Sequence, residues 1–287
     1  MVDPFAHATA GVFSGSGVRV RRRVGPHPTH SDRHVLCTPR FCTRRHGGVL
    51  DVEHDLRPDE LSDELAVLIA EELDDTGVLN GQTEFELVFT GIVRSTVDGA
   101  MPAWLRFYRN SLDRLEDGVA AFAPVHEHAA SLLVSSRVVD LGSCFGFLPL
   151  RIAAAGMDVV ATDLSAPTMK LLARVSRTLR RPVPTICCDA ARVPLPDRDA
   201  DTVTVVHLLE HLTPGAADDV LEEALRLARR QVVVAVPFED EPRACYGHIQ
   251  RFDIAALRRL AVRLRQRHSG LRAGVHEYHG GWLILDR

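Results

Sequence analysis

From residue 137 onward the chain alternates between two hydrophobic periods, and this limits the folds open to it more than any other feature. Short apolar runs rich in valine read as strands: RVVDL, DVVATD, VPTICCD, DTVTVVH and QVVVAVP. Among them stand FLPLRIAAAG (closed by Gly156), APTMKLLARVSRTL and GAADDVLEEALRLARR, and DIAALRRLAVRLRQR follows the last run. A run that is apolar throughout suits a strand covered on both faces, whereas apolar residues every three or four positions suit a helix with one buried stripe. Strands alternating with helices build a doubly wound, mostly parallel α/β sheet. GLRAGVHEY and GWLILD end the chain, and Gly280 and Gly281 between them predict a hairpin that brings an antiparallel strand into that sheet. The sequence contains no internal repeat.

The first 122 residues read differently. Residues 1–50 carry eight arginines against Asp3 and Asp32, and residues 51–75 carry eleven acids against Arg57 alone. Adjacent blocks of opposite sign pair with each other or turn a basic arm toward an anionic partner, and pairing within the chain is the preferred reading. Short β-like pieces, VLCTPRF and GGVLDVE among them, are punctuated by Gly and Pro. Helix is expected from Arg57, with Pro58 at its first position, through LSDELAVLIAEEL. Further helices are expected from about Gln82, over MPAWLRFYRNSLDRLEDG, and over HEHAASLL. The first dozen residues, rich in Gly, Ser and Ala, are expected to be loose. The organisation expected is thus an N-terminal β-plus-helical cap over residues 1–122 and an α/β domain over residues 123–287. Trp104, Phe107 and Tyr108 share a helical face that either stacks on a sugar or, more commonly, packs in a core. His27, His30, His34, Cys37, Cys42 and His46 lack any CxxC pair, so an arginine-lined loop for an acceptor is preferred to zinc.

Composition removes whole classes. A length of 287 residues suits one large domain or two small ones, and 46% apolar with 25% charged residues is ordinary for a soluble chain. No run approaches a membrane span, and the N-terminus lacks the order of a signal peptide, so a cytoplasmic protein is expected. Six cysteines are too few for a disulfide framework, and Cys187 and Cys188, inside an apolar run, are expected to be buried thiols. A formal net charge of -4 argues against general nucleic-acid binding.

Open α/β sheets bind ligands beyond the carboxyl ends of their strands. The first strand runs into VVDLGSCFGF, which sets Asp140, Gly142, Cys144 and Gly146 at alternate positions. Glycine lets backbone approach a ligand, and the following helix presents free N–H groups. The turn is neither a dinucleotide fingerprint nor a P-loop, because G-x-G-x-x-G and Gly-Lys-Ser/Thr are both absent. The second strand ends at Asp163, whose carboxylate is suited to accept both hydroxyls of a ribose, unless it caps the next helix; Ser165 is available for that role instead. The third ends at Asp189, in CCDAARVPLPD, where a carboxylate and backbone groups can accept from an adenine amino group.

The order VVDLGSCFG, VVATD, CCDAARVPLPD, TVTVVHLLEHL, VVVAVP resembles the Class I S-adenosylmethionine-dependent methyltransferases, from about residue 137 to the C-terminus. The resemblance implies a Rossmann-like seven-stranded sheet with its last strand antiparallel, and S-adenosyl-L-methionine as cofactor. It also implies that Asp140 and the Gly142, Cys144 and Gly146 loop hold the methionine end. Asp163 would then bind the ribose, Asp189 with Ala190 the adenine, and His207 would border the cofactor. Cys144 departs from the glycine usual there. Over a longer stretch, RHVLCTPRFCTRRHGG, DVEHDLRPDELSDEL, FELVFTGIVRSTVDGA, HLLEHL and VAVPFEDEPRACYGHIQRFD resemble the mycofactocin oligosaccharide methyltransferases. That resemblance implies O-methylation of a glucose hydroxyl on an oligosaccharide-bearing small molecule.

His207, Glu210 and His211 lie at i, i+3 and i+4, so one helical turn sets them on a common face, and His248 follows strand five to the same mouth. Transfer to an alcohol needs a base, and histidine suits that role, which makes His211 and His248 the candidate catalytic residues with Glu210 beside them. Two histidines and a carboxylate equally fit a divalent metal, with Glu210, His211 and His248 as the candidate ligands. The small-RNA terminal 2′-O-methyltransferases are similar here in holding magnesium by Glu-x-x-Glu-His and a later His, but His207 stands where their first Glu would be. Asp240 and Glu241, in FEDEP, either accept from neighbouring sugar hydroxyls or form a solvated loop. The competing functions are an RNA or small-molecule O-methyltransferase, with or without a metal, and a catalytically silent scaffold that binds the same cofactor.

Overall fold

A computed structural model describes residues 3–6, 8–9, 11–25 and 35–287. Its internal contacts divide the chain into two units, Met1–Ala121 and Phe122–Arg287.

The first unit is built on six strands: β1 (Ala8–Thr9), β2 (Val12–Gly15), β3 (Val18–Arg22), β4 (Val35–Cys37), β5 (Phe41–His46) and β6 (Val49–His54). They lie in the order β1-β2-β3-β6-β5-β4, and only β3 and β6 pair in parallel. This sheet is larger than the small β piece expected, because it recruits residues read as loose. The Pro4 carbonyl accepts from Trp104 Nε1 at 2.7 Å and from Arg94 Nη1 at 2.9 Å, which ties the segment before β1 to buried side chains. The opposite charge blocks do pair. Arg19 meets Asp51 and Arg21 meets Glu53 across the β3–β6 pair, Arg40 holds both Asp55 and Glu60, and Arg45 holds Glu84. Exposed pairs of this kind contribute only about 0–1 kcal/mol each, so their consequence is mainly a neutralised basic block.

Of the histidine and cysteine cluster in this unit, His27, His30 and His34 lie outside the described residues. Cys37 and Cys42 face each other across the β4–β5 pair and form a disulfide, so they pair with one another and offer no thiolates for zinc. The helix expected from Arg57 starts later. Pro58–Glu60 is a 3₁₀ turn and Leu61 turns extended to bury its side chain, so that α1 (Leu65–Ile69) begins only afterwards and ends in a π turn, Ala70–Asp74. α2 (Gly81–Thr96) lies so close to the sheet that a Cβ on Gly91 would come within 2.4 Å of the Val20 side chain. On α3 (Ala100–Glu116), Trp104, Phe107 and Tyr108 stack edge to face and are fully buried, so they belong to the core.

The second unit opens with α4 (Ala123–Leu132) and continues β7 (Arg137–Leu141), α5 (Phe147–Ala154), β8 (Asp158–Asp163), α6 (Ala166–Thr178), β9 (Thr185–Cys187), β10 (Ala200–Val206), α7 (Pro214–Leu227), β11 (Ala228–Val236), α8 (Ile254–Arg267), β12 (Arg272–Glu277) and β13 (Gly281–Asp286). The seven strands lie in the order β12-β13-β11-β10-β7-β8-β9. All neighbours pair in parallel except that β13 is antiparallel to both β11 and β12. This is the expected Rossmann-like sheet. Its middle is apolar throughout: Val138, Val139, Val203, Val205 and Val232 to Val236 are buried, each valine contributing at most about 1.5–3 kcal/mol. From β7 the chain winds outward to β8 and β9, then returns to place β10 on the other side of β7. The carboxyl ends of β7 and β10 therefore form the switch point at which such sheets open a crevice. The cysteine pair departs from expectation. β9 is an edge strand, so Cys187 is exposed, its Sγ donating to the Leu164 carbonyl, and Cys188 is only half-buried. Among the described residues, no helix is long and apolar enough to cross a membrane.

His54 in the first unit yields a test of this packing. Its Nε2–H donates to Ser95 Oγ at 2.8 Å while Nδ1 accepts from the Leu56 N–H, and burial, then Arg22, pushes its pKa down to about 3. The folded state thus refuses a proton that the unfolded chain accepts. The cost is nil above about 6.5 and grows as pH falls toward 3, by about 1.4 kcal/mol per pH unit once well below 6.5. Asp63, whose burial pushes its pKa up to about 6, acts in the opposite sense. His54→Gln should therefore lose less stability than the parent between pH 7 and pH 5 in urea denaturation, and parallel pH profiles would refute the assignment.

Candidate active site

The turn after β7 is braced from below. The Asp140 carboxylate is buried and accepts from Thr204 Oγ1 on β10 at 2.5 Å, while its backbone carbonyl accepts from Ser143 Oγ and Thr162 Oγ1. Burial pushes the Asp140 carboxyl up to about 6. This acid therefore lies beneath the loop and holds its two flanking strands together. Above it, Gly142, Cys144 and Gly146 all have positive φ, at 73°, 48° and 73°. A Cβ on Gly142 would come within 2.8 Å of the Leu208 side chain, and one on Gly146 within 2.4 Å of Leu172. Cys144 is exposed and keeps a side chain in the left-handed region, at about 1–2 kcal/mol for its backbone.

That strain is held by Asp163. Its Oδ2 accepts from the Cys144 N–H at 2.9 Å and its Oδ1 from the Ser165 N–H at 2.8 Å. The capping role falls to Ser165, whose Oγ accepts from the Thr168 N–H at the start of α6. A carboxylate has about four lone-pair sites, so Asp163 retains capacity for a diol at the lip of the loop. Asp189 is exposed and its Oδ1 accepts from the Ala191 N–H at 2.9 Å, forming a tight turn in which Ala190 packs against the core. Asp163, Asp189 and Ala190 thus lie at consecutive strand ends, where the resemblance implies a nucleoside. His207 stands directly past β10, its N–H donating to the Ala235 carbonyl, its φ at 53° and its ring 5.2 Å from that of Phe122.

The acceptor-side residues converge on one point. Glu210 and His211 occupy a single 3₁₀ turn, Leu209–His211, in place of the α-helical turn expected. The loop after β11 is stitched to it: the Ile249 and Gln250 N–H groups both donate to the Glu210 carbonyl, and Gln250 Nε2 donates to the Leu209 carbonyl. The rings of His211 and His248 then stand 4.8 Å apart at 81°. His211 Nδ1–H donates to the Gly247 carbonyl at 3.3 Å, and His248 Nδ1–H donates to Glu239 Oε2 at 2.8 Å. Burial holds the His211 pKa below its ordinary value, so the ring is neutral at pH 7 and its other nitrogen carries a lone pair. One ligand atom from each of Glu210, His211 and His248 lies within 4.8 Å of the others.

Glu239 is the residue that sequence reasoning missed. The neighbouring acids Asp240 and Glu241, singled out as candidates, are exposed on the same loop. The signal available was position: Glu239 is the first acid past the end of β11, and a strand-end rule favours the first over the second and third.

Residues 139–236 match the model of a family described as a methyltransferase domain. Among solved structures, the chain is similar to a SAM-dependent methyltransferase from Aquifex aeolicus, at 16% identity over 61% of this chain and 97% of that one, with a TM-score of 0.45. It is also similar to the 1,6-didemethyltoxoflavin-N1-methyltransferase of Burkholderia thailandensis (19% identity, 62% of this chain and 85% of that one, TM-score 0.45). A third is the magnesium protoporphyrin IX methyltransferase of Synechocystis PCC 6803 (18% identity, 77% and 96%, TM-score 0.44). None of the curated proteins compared with the chain matches it. The matched segment runs from β7 to the end of β11 and contains the whole glycine loop together with Asp140, Asp163 and Asp189. The second unit therefore carries a methyltransferase domain, and the protein is an enzyme of methyl transfer.

If Asp163 and Asp189 hold the nucleoside as the resemblance implies, the geometry ranks their contributions. Asp163→Ala removes both the anchor of the Cys144 N–H and the acceptor for a diol, so it should weaken S-adenosylmethionine by about 1.5–3 kcal/mol per charge-assisted bond lost. Asp189→Ala should weaken it less, since backbone groups share that edge. Calorimetric titration of both variants checks the order, and unaltered affinity in the two folded variants would overturn the assignment.

Proposed function

We propose that the enzyme methylates a sugar hydroxyl, and that the acceptor is a glucose of the oligosaccharide on mycofactocin, a peptide-derived redox cofactor. The observation that carries the reading is the pair of imidazoles, His211 and His248, each pinned through Nδ1 so that its other nitrogen is left as an acceptor. A sugar alcohol is a poor nucleophile until its proton is drawn off, so a site for alcohols needs a group that receives positive charge beside the oxygen. S-adenosylmethionine supplies an electrophilic methyl on sulfur. The lone pairs of His211 and His248 receive the positive charge that the hydroxyl sheds, as a proton or through a bound cation. Asp240 and Glu241 accept hydrogen bonds from the neighbouring hydroxyls and set the sugar's orientation. The choice of a mycofactocin glucose rests on the likeness of HLLEHL and VAVPFEDEPRACYGHIQRFD to the enzymes that methylate it. A formal net charge of -4 disfavours RNA as the acceptor.

Incubation of the protein and S-adenosylmethionine with glucosylated acceptors should add the mass of one methyl, in an ether linkage that survives base. His211→Ala and His248→Ala should each lower kcat by about 10²- to 10⁴-fold and leave S-adenosylmethionine affinity nearly unchanged. Methylation of amines or thiols with glucosides untouched would overturn the substrate class, and near-parental turnover in both variants would return the histidines to a structural role.

A further inference from the structure

The Glu210 side chain is buried, with 1% of its surface exposed, and neither carboxylate oxygen accepts a hydrogen bond. The one ion-pair contact it makes among the described residues is with His207, whose Nδ1 lies 3.4 Å from Oε1 without hydrogen-bond geometry. A carboxylate stripped of water and given no donors is strongly unfavourable, and buried polar atoms of this kind call for an explanation. The Thr204-bound Asp140 of the same domain shows how the fold treats a buried acid whose role is structural.

We infer that Glu210, His211 and His248 bind a divalent transition-metal ion, with Glu239 and the Gly247 carbonyl orienting the two imidazoles. Three observations meet here. The three ligand atoms already lie within 4.8 Å of one another, close enough for one ion to draw them together. Each imidazole donates its Nδ1–H to an oxygen, His248 to a carboxylate and His211 to a backbone carbonyl, which is the arrangement that fixes tautomer and raises basicity in metal-bound histidines. The third ligand is the orphaned acid, for which a cation supplies the missing positive partner. The backbone bonds from Ile249 and Gln250 to the Glu210 carbonyl hold the two ligand-bearing loops together before any ion arrives.

The donor set selects the class of ion. Two nitrogens and one carboxylate oxygen suit zinc, manganese, cobalt or ferrous ions, whereas magnesium and calcium prefer oxygen throughout. Three protein ligands leave positions open for the acceptor oxygen. This step rests on the reading that a hydroxyl is activated at this cluster. Coordination acidifies the hydroxyl, its proton passes to solvent, its oxygen bonds to the methyl carbon, the carbon–sulfur bond breaks, and the neutral thioether leaves. The ion keeps its oxidation state.

The full-length protein, stripped with chelator and dialysed, is titrated with manganese, zinc or cobalt chloride in the absence of S-adenosylmethionine and acceptor. One equivalent should bind by calorimetry, cobalt should develop visible absorption, and magnesium should bind far more weakly. Glu210→Gln and His248→Ala should each abolish that binding, and Glu239→Gln should weaken it about 10- to 100-fold. Circular dichroism confirms the fold of each variant, and if Glu210→Gln does not fold, His248→Ala decides. Failure of the full-length protein to bind any of the ions, or binding indifferent to these substitutions, overturns the inference. Sugar methylation that persists in the stripped protein likewise defeats the cation and leaves the substrate reading standing. A metal that binds as described, with no sugar methylated, does the reverse.

Discussion

The hydrogen bond from Thr204 to the buried Asp140 carboxylate joins β7 to β10 at the place where the sheet reverses direction. The glycine loop and the turn that carries Glu210 and His211 both grow from that junction, one from each strand, so the cofactor edge and the histidine cluster keep their relation only while these ends are clamped. A polar bond inside a nearly all-valine layer is effective here because the low local dielectric strengthens it and leaves it no competitor.

Two buried carboxylates in one domain receive opposite treatment. The Asp140 carboxylate receives the Thr204 hydroxyl while its backbone carbonyl takes Ser143 and Thr162, whereas Glu210 is closed off from water and given no donor. Asp163 stands between these extremes, half spent on two backbone N–H groups and half available at the lip. Such a gradation of satisfied, shared and unsatisfied acids is what separates framework from chemistry in this domain. The strained Cys144 belongs to the same account, because its left-handed backbone is where its N–H meets Asp163.

In the first unit the electrostatics are local. Arg19, Arg21, Arg40 and Arg45 are committed to acids that follow them in the chain, across the β3–β6 pair, on the turns beyond and on α2. Its aromatic residues on α3 are committed to the core. At least half of the basic block that invites thoughts of an anionic partner is thus answered from within.

The second unit was legible in the sequence because its signals are short-range. Valine-rich runs, helical spacing and acids at strand ends are all encoded within ten residues of where they act, so the succession of strands and helices, the glycine loop and the positions of Asp140, Asp163 and Asp189 could be read directly. Ser165 as the cap in place of Asp163 needed only local hydrogen-bond chemistry to anticipate. What the sequence left open depended on distant partners. Whether residues before β1 are ordered depends on Arg94 and Trp104, some ninety to a hundred positions away. The exposure of Cys187 follows from β9 lying at the sheet edge, which no apolar run can announce. The choice of Glu239 over Asp240 and Glu241, and the orphaned state of Glu210, were decided only when the loop after β11 folded back onto the turn after β10. A hydrogen bond, or the lack of one, between residues some thirty positions apart is a property of packing, and local sequence carries no record of it.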